Sequence, residues 1–187
     1  MKIFVGLFAF SSAFGRFFDE RADTAEDIML NTLRLCANSE SGMTECAVKM
    51  SKNLERNYSQ HYNCIIANGI ADAEGRHTAQ PRAGSLRAVC GPKSTKTIDF
   101  SSFAVKCESC ESRCANEEEF ATCVKDCMII AHNSYDGFNI MVAAKLHGKG
   151  ESGFYMHKTG VYYETRNKTE CIAFRHYIEE EGSGVGL

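Results

Sequence analysis

The chain has 187 residues, a formal net charge of −3, ten cysteines, two prolines and no tryptophan. So little charge excludes whole-chain electrostatic capture of nucleic acid, and seven scattered tyrosines form no base-stacking platform. Beyond the opening segment no run approaches the ~20 apolar residues of a membrane-spanning helix.

The chain opens MKIFVGLFAFSSAFG. Lys2, an apolar run from Ile3 to Phe10, and small residues at Ser11, Ala13 and Gly15 are the pattern of a secretory signal peptide over 1–15. All ten cysteines follow it. An even count on a secretory route is expected to give five disulfides. The sequons at Asn57 and Asn167 are candidate glycosylation sites on the same route. The expected localisation is therefore extracellular.

Past the leader, Thr24 and Asp27 form an N-terminal capping pattern for a helix carrying Ile28, Leu33 and Cys36. Met43, Ala47, Met50, Leu54 and Tyr58 recur at steps of three and four, an amphipathic second helix. Strands are expected at His61 to Asn68, Ser85 to Cys90 and Thr95 to Lys106. The polar, glycine-bearing stretch from Ala71 to Gly84 is expected to be a long loop.

The second half repeats this order. CANSESGMTEC (Cys36 to Cys46) is echoed by CANEEEFATC (Cys114 to Cys123), and YNCIIA (Tyr62 to Ala67) by FNIMVA (Phe138 to Ala143). Agreement over such a span points to an internal duplication. Asn116 is expected to cap a helix with Glu117, Glu118 and Glu119 in its first turn and Phe120, Val124, Cys127 and Ala131 on one face. Strands are expected at Phe138 to Leu146, Gly153 to Lys158, Val161 to Thr165 and Glu170 to Tyr177. The expected organisation is α+β: two tandem helix–helix–strands units, 16–106 and 107–178, each a stapled helical hairpin on antiparallel sheet, then a tail over 179–187.

If each echoed phrase is the bend of a helical hairpin, Cys36 faces Cys46 and Cys114 faces Cys123. Cys110 and Cys127 lie one turn further from the second bend and suit an outer rung. Cys64 is then left with Cys90, and Cys107 with Cys171. These pairings are an expectation from spacing. Two other uses of the thiols fit less well: Cys107 to Cys110 as a redox CxxC has no βαβ context, and zinc at Cys107 to Cys127 would need reduced thiols in an oxidising compartment.

No HExxH, nucleophile elbow, phosphate loop or dinucleotide fingerprint occurs, and no cofactor or metal is expected. The six histidines are His61, His77, His132, His147, His157 and His176. A hydrolase-like site would need distant residues such as His157, Glu164 and His176 to converge. Between Arg76 and Lys96 the chain holds Arg76, His77, Arg82, Arg87, Lys93 and Lys96 with no acidic residue, a candidate surface for an acidic partner or a sulfated glycan.

One run carries a family resemblance. KNLERNYSQHYNCII, Lys52 to Ile66, is similar to the dynein light chain family where its second helix enters its first strand. Lys52, Leu54, Glu55, Arg56, Tyr58, Tyr62, Cys64, Ile65 and Ile66 match that family's residue or its type. GFYMHKTGVYYETRNKTECIAFRH resembles its remaining strands more loosely. The resemblance implies two helices followed by antiparallel strands, dimerisation, and capture of partner peptides by strand addition at a sheet edge. Here that edge would involve Phe154, Tyr155, Tyr162 and Tyr163. The leader, the stapling cysteines and the second copy are departures from the family.

The expectation is therefore a secreted, non-catalytic protein that binds a protein or peptide partner, with homodimerisation as a further expectation. A secreted hydrolase-like enzyme and a structural extracellular-matrix component are the alternatives.

Overall fold

The computed structural model describes residues 24–39, 42–82, 84–132, 137–145, 151–158, 160–166 and 168–176. The expected leader, the expected tail, Asn167 and His147 lie outside them. Four helices and eight strands follow in the order α1 (Ala25–Ala37), α2 (Met43–Tyr58), β1 (Tyr62–Ala67), β2 (Ala71–Glu74), β3 (His77–Ala79), β4 (Arg87–Pro92), α3 (Phe100–Arg113), α4 (Phe120–His132), β5 (Phe138–Ala144), β6 (Ser152–Tyr155), β7 (Val161–Thr165) and β8 (Thr169–Arg175). Among the described residues no helix is long and apolar enough to cross a membrane.

Local chemistry sets the helix ends. Thr24 and Asp27 form a reciprocal capping box at α1, each side chain bonding the other's backbone N–H at 3.2 Å. Helix α2 buries Ala47, Met50 and Leu54 and stops where Ser59 turns left-handed at φ 54°. The expected strand at Thr95 to Lys106 is overturned: Asp99 caps the Ser102 N–H at 3.3 Å and α3 begins at Phe100. Phe103, Cys107, Cys110 and Cys114 are all buried at steps of four, three and four, so helical period outweighed the β-propensity of TIDFSSFAV. The expected unit boundary at 106/107 falls inside this helix.

Helix α4 begins later than expected. The Cys123 N–H bonds the Glu119 carbonyl at 3.0 Å, so Glu117, Glu118 and Glu119 lie ahead of the first turn. Its buried face is Ala121, Val124 and Met128, while Ala131 is exposed.

The sheets are both antiparallel, with strand orders β3-β4-β1-β6 and β2-β5-β8-β7. Each thus takes one strand from the other half of the chain: β6 pairs with β1, and β2 pairs with β5. Strands β2 and β3 occupy the stretch expected to be a loop.

Strands β1, β5 and β8 are buried on both faces, hence their near-continuous apolar runs. Period two then divides β1: Tyr62, Cys64 and Ile66 join the core under α1 and α2, while Ile65 and Ala67 join a core between the sheets with Met141, Ile172 and Phe174. A third core lies under α3 and α4. The layers are helices, sheet, sheet, helices.

Five disulfides fasten these layers. Cys36–Cys46 joins α1 to α2, and Cys110–Cys127 and Cys114–Cys123 join α3 to α4. Cys64–Cys90 links β1 to β4, and Cys107–Cys171 links α3 to β8.

Corresponding backbone bonds recur. The Lys93 N–H bonds the His61 carbonyl at 2.7 Å, as the His176 N–H bonds the Gly137 carbonyl at 2.8 Å. Lys93 and His176 in turn face each other in an antiparallel bridge between the ends of β4 and β8.

Candidate functional site

Two edges of the sandwich meet in one place. Strand β6 ends the first sheet and β7 ends the second. The Arg166 N–H bonds the Thr169 carbonyl at 2.8 Å, and the register pairs Tyr163 with Ile172. Antiparallel bonding alternates, so Tyr162 and Glu164 bond inward to β8. Val161, Tyr163 and Thr165 therefore aim their backbone N–H and C=O groups away from the sheet. The same count from Asn68 N–H to the Glu151 carbonyl, 2.8 Å, turns the backbone groups of Ser152 and Phe154 outward on β6.

The Phe154 and Tyr163 rings meet across the two edges with centroids 5.5 Å apart. Tyr163 is 48% exposed, and Phe154 packs against the core between the sheets. An apolar shelf thus lies beside backbone groups that have no partner strand among the described residues.

The other aromatic candidates point elsewhere. Tyr155 packs into the core under α1 and α2 and meets the His157 ring edge-on. Tyr162 is buried against Phe103, and its hydroxyl donates to Glu164.

The basic candidates do not form one patch. Arg87 pairs with Asp72 and Gln80, and Lys93 lies in the bridge to His176. Arg76 is exposed beside His176, in a cavity of about 280 Å³ lined also by Glu74, Ile129 and Phe138. Arg82 and Lys96 are exposed on different connections. Asn57 is exposed in the last turn of α2, its amide donating to the Asn53 carbonyl at 2.8 Å.

His157, Glu164 and His176 occupy three separate neighbourhoods. His157 follows β6 beside α2, whereas Glu164 on β7 bonds Tyr162 and pairs with Arg166 at 2.6 Å. His176 lies beyond β8, at the far end from Cys171, which faces Glu164. Its Nδ1 is 2.9 Å from the Asn139 amide nitrogen. Burial, with the charges of Arg76 and His77 adding to it, lowers its pKa to about 4.

Around His157 a polar cluster forms that the sequence did not mark. Glu55 Oε1 faces both His157 Nε2 and, at 3.4 Å, His61 Nδ1. The two imidazoles stack with centroids 4.4 Å apart. The buried Ser51 hydroxyl lies 3.2 Å from Glu55 Oε1 and 2.7 Å from the Tyr62 carbonyl. Burial pushes Glu55 up, but the His157 charge and bonds from Ser51, His61 and the Tyr62 backbone outweigh it and hold the carboxyl below its usual range.

Ser51 Oγ is 3.5 Å from His157 Nε2, the nitrogen that also faces Glu55. A serine relay needs hydroxyl and carboxylate on opposite ring nitrogens, so this trio is not one.

Two asparagines hold the crossing strands. Asn63 Oδ1 accepts the His157 N–H at 2.7 Å, and Asn139 Oδ1 accepts the Arg76 N–H at 2.9 Å. Both occupy the second position of the echoed YNCIIA and FNIMVA, which was the available signal for them. Asp72, buried on β2, is another unmarked residue. Burial raises its pKa, but Lys125 at 3.0 Å, the Ala73 N–H and Arg87 together hold it below the usual carboxylate range.

Comparison with protein-family models, with curated proteins and with solved structures gives no match.

Proposed function

We propose that this is a secreted, disulfide-stapled, non-catalytic protein that recognises an extended segment of a partner protein along the free edge of β7. The observation that carries this reading is the outward-facing backbone of Val161, Tyr163 and Thr165 beside the Phe154–Tyr163 shelf. An added strand would satisfy those groups, and an alternate apolar side chain would sit on the shelf. The similarity of Lys52 to Ile66 to the dynein light chain family, whose members hold peptides by strand addition, supports the same mode.

We further read the halves as copies of one unit that exchange a strand, supported by the corresponding bonds of Asn63 and Asn139. The leader pattern and the disulfides support secretion.

The test is capture from a random-peptide display library by the disulfide-intact protein, followed by affinity measurement on Tyr163→Pro. Proline removes an outward N–H that β8 does not use, so the sheet is kept. Binding is expected to weaken at least ~10-fold, the order of one lost interfacial hydrogen bond with its packing. Leu35→Ser, on the exposed face of α1, is expected to bind unchanged. Capture of no peptide, or equal binding by Tyr163→Pro, would overturn the proposal.

A further inference from the structure

We propose that Glu55, His61 and His157 form a binding site for one zinc-class divalent ion, closing the corner between α2, the entry to β1 and the exit of β6. Glu55, His61 and His157 each offer one ligand atom, and the three atoms lie within 4.8 Å of one another. Zinc–ligand bonds of ~2.0–2.1 Å in a tetrahedron place donor atoms ~3.4 Å apart. The His61-to-Glu55 separation of 3.4 Å already has that value, and the directly bonded Glu55–His157 pair parts to admit the ion. Two imidazoles and one carboxylate select a borderline ion, since calcium and magnesium prefer all-oxygen shells.

The donors are unequally exposed in a useful way. The side chains of Glu55 and His157 are 23% and 19% exposed, and that of His61 is 62% exposed. The inner pair is thus positioned by the fold, while His61 adjusts by side-chain rotation and leaves the fourth position to solvent. Supporting groups surround the inner pair: the Ser51 hydroxyl at Glu55 Oε1, and Asn63 on the His157 backbone.

The site is single. Arg76 holds the place in the other half that His157 holds here, each donating its N–H to an asparagine of an inner strand. Gly137 likewise stands where His61 stands. A cation and a glycine cannot replace two ligands, so the expected stoichiometry is one ion per chain.

The test uses the disulfide-intact protein without a histidine tag, stripped by chelator and titrated with zinc by calorimetry at neutral pH. One equivalent is expected to bind. His157→Gln and His61→Asn should each weaken it at least ~10-fold, the lower end of what even supporting residues contribute. Cobalt substituted for zinc should give the intense visible bands of four-coordinate geometry, lost in both variants. His77→Gln, whose ring pairs with Glu26 at 2.9 Å elsewhere, should bind as the parent does. Matching circular dichroism across the set separates lost ligands from lost fold. No uptake by the parent, unchanged uptake by both ligand variants, or preference for calcium or magnesium over zinc would overturn the site.

Discussion

Asp72 is a carboxylate on which two cations converge. It sits on a crossing strand and binds Arg87 of β4 and Lys125 of α4, whose side chain is 13% exposed. Removing the carboxylate leaves Lys125 close to dry, with Asp126 as its one remaining ion-pair partner among the described residues. Asp72→Asn is therefore expected to cost about 3 kcal/mol by urea unfolding, as for other broken buried pairs. Because its folded pKa is lowered, its contribution is complete above the ordinary carboxyl range and is lost as pH falls through the folded value.

His176 acts in a higher window. Burial, with the charges of Arg76 and His77 adding to it, lowers its pKa from 6.5 to about 4 in the folded chain. The unfolded chain binds the extra proton between those values, so stability should decline as pH drops from 6.5 toward 4. His176→Gln should flatten that part of the pH–stability curve. An unchanged curve would contradict a half-buried imidazole held neutral.

At the level of elements, the first two helices were legible because local signals agreed. The Thr24–Asp27 box and the buried Ala47, Met50 and Leu54 lie where caps and period placed them. The cysteine spacing likewise indicated helix-to-helix staples. Strands β2 and β3 were not legible, being four and three residues long, with ADAE reading as polar turn chemistry. Phe100–Arg113 misled because β-favouring residues masked a helical spacing of cysteines.

The staples predict an inequality. Cys36–Cys46 is the only disulfide between α1 and α2, whereas Cys110–Cys127 sits outside Cys114–Cys123. With the inner bond in place, the outer one restricts only a short remaining loop. Replacing both Cys36 and Cys46 by alanine should cost about 2–4 kcal/mol, and replacing Cys110 and Cys127 should cost less. Denaturant midpoints in the reverse order would contradict this.

For the whole molecule, the defining feature is that β2 and β6 cross between sheets. No local pattern encodes which sheet a strand will join, so the sequence could suggest a strand at Gly153 but not its partner. The partner leaves one trace: a Cβ added at Gly153 would lie 2.2 Å from the Thr44 backbone nitrogen of α2. Gly153→Ala must push β6 off α2, and a loss of about 1–3 kcal/mol is expected from such overpacking. The edge site was legible in part. Phe154 and Tyr163 were candidates only through the family resemblance, and their meeting across two sheets depends on the crossing of β6. Glu55 was not legible as a ligand because it lies off the apolar stripe of α2 and far in sequence from His157.

Strand addition at β7 is tested most directly by amide hydrogen exchange, residue by residue, with and without a captured peptide. The amides of Val161, Tyr163 and Thr165 should exchange freely in the unbound protein and become protected on binding, while Tyr162 and Glu164 stay protected throughout. Peptide-induced protection confined to other elements, or none along Val161–Thr165, would contradict recognition at this edge.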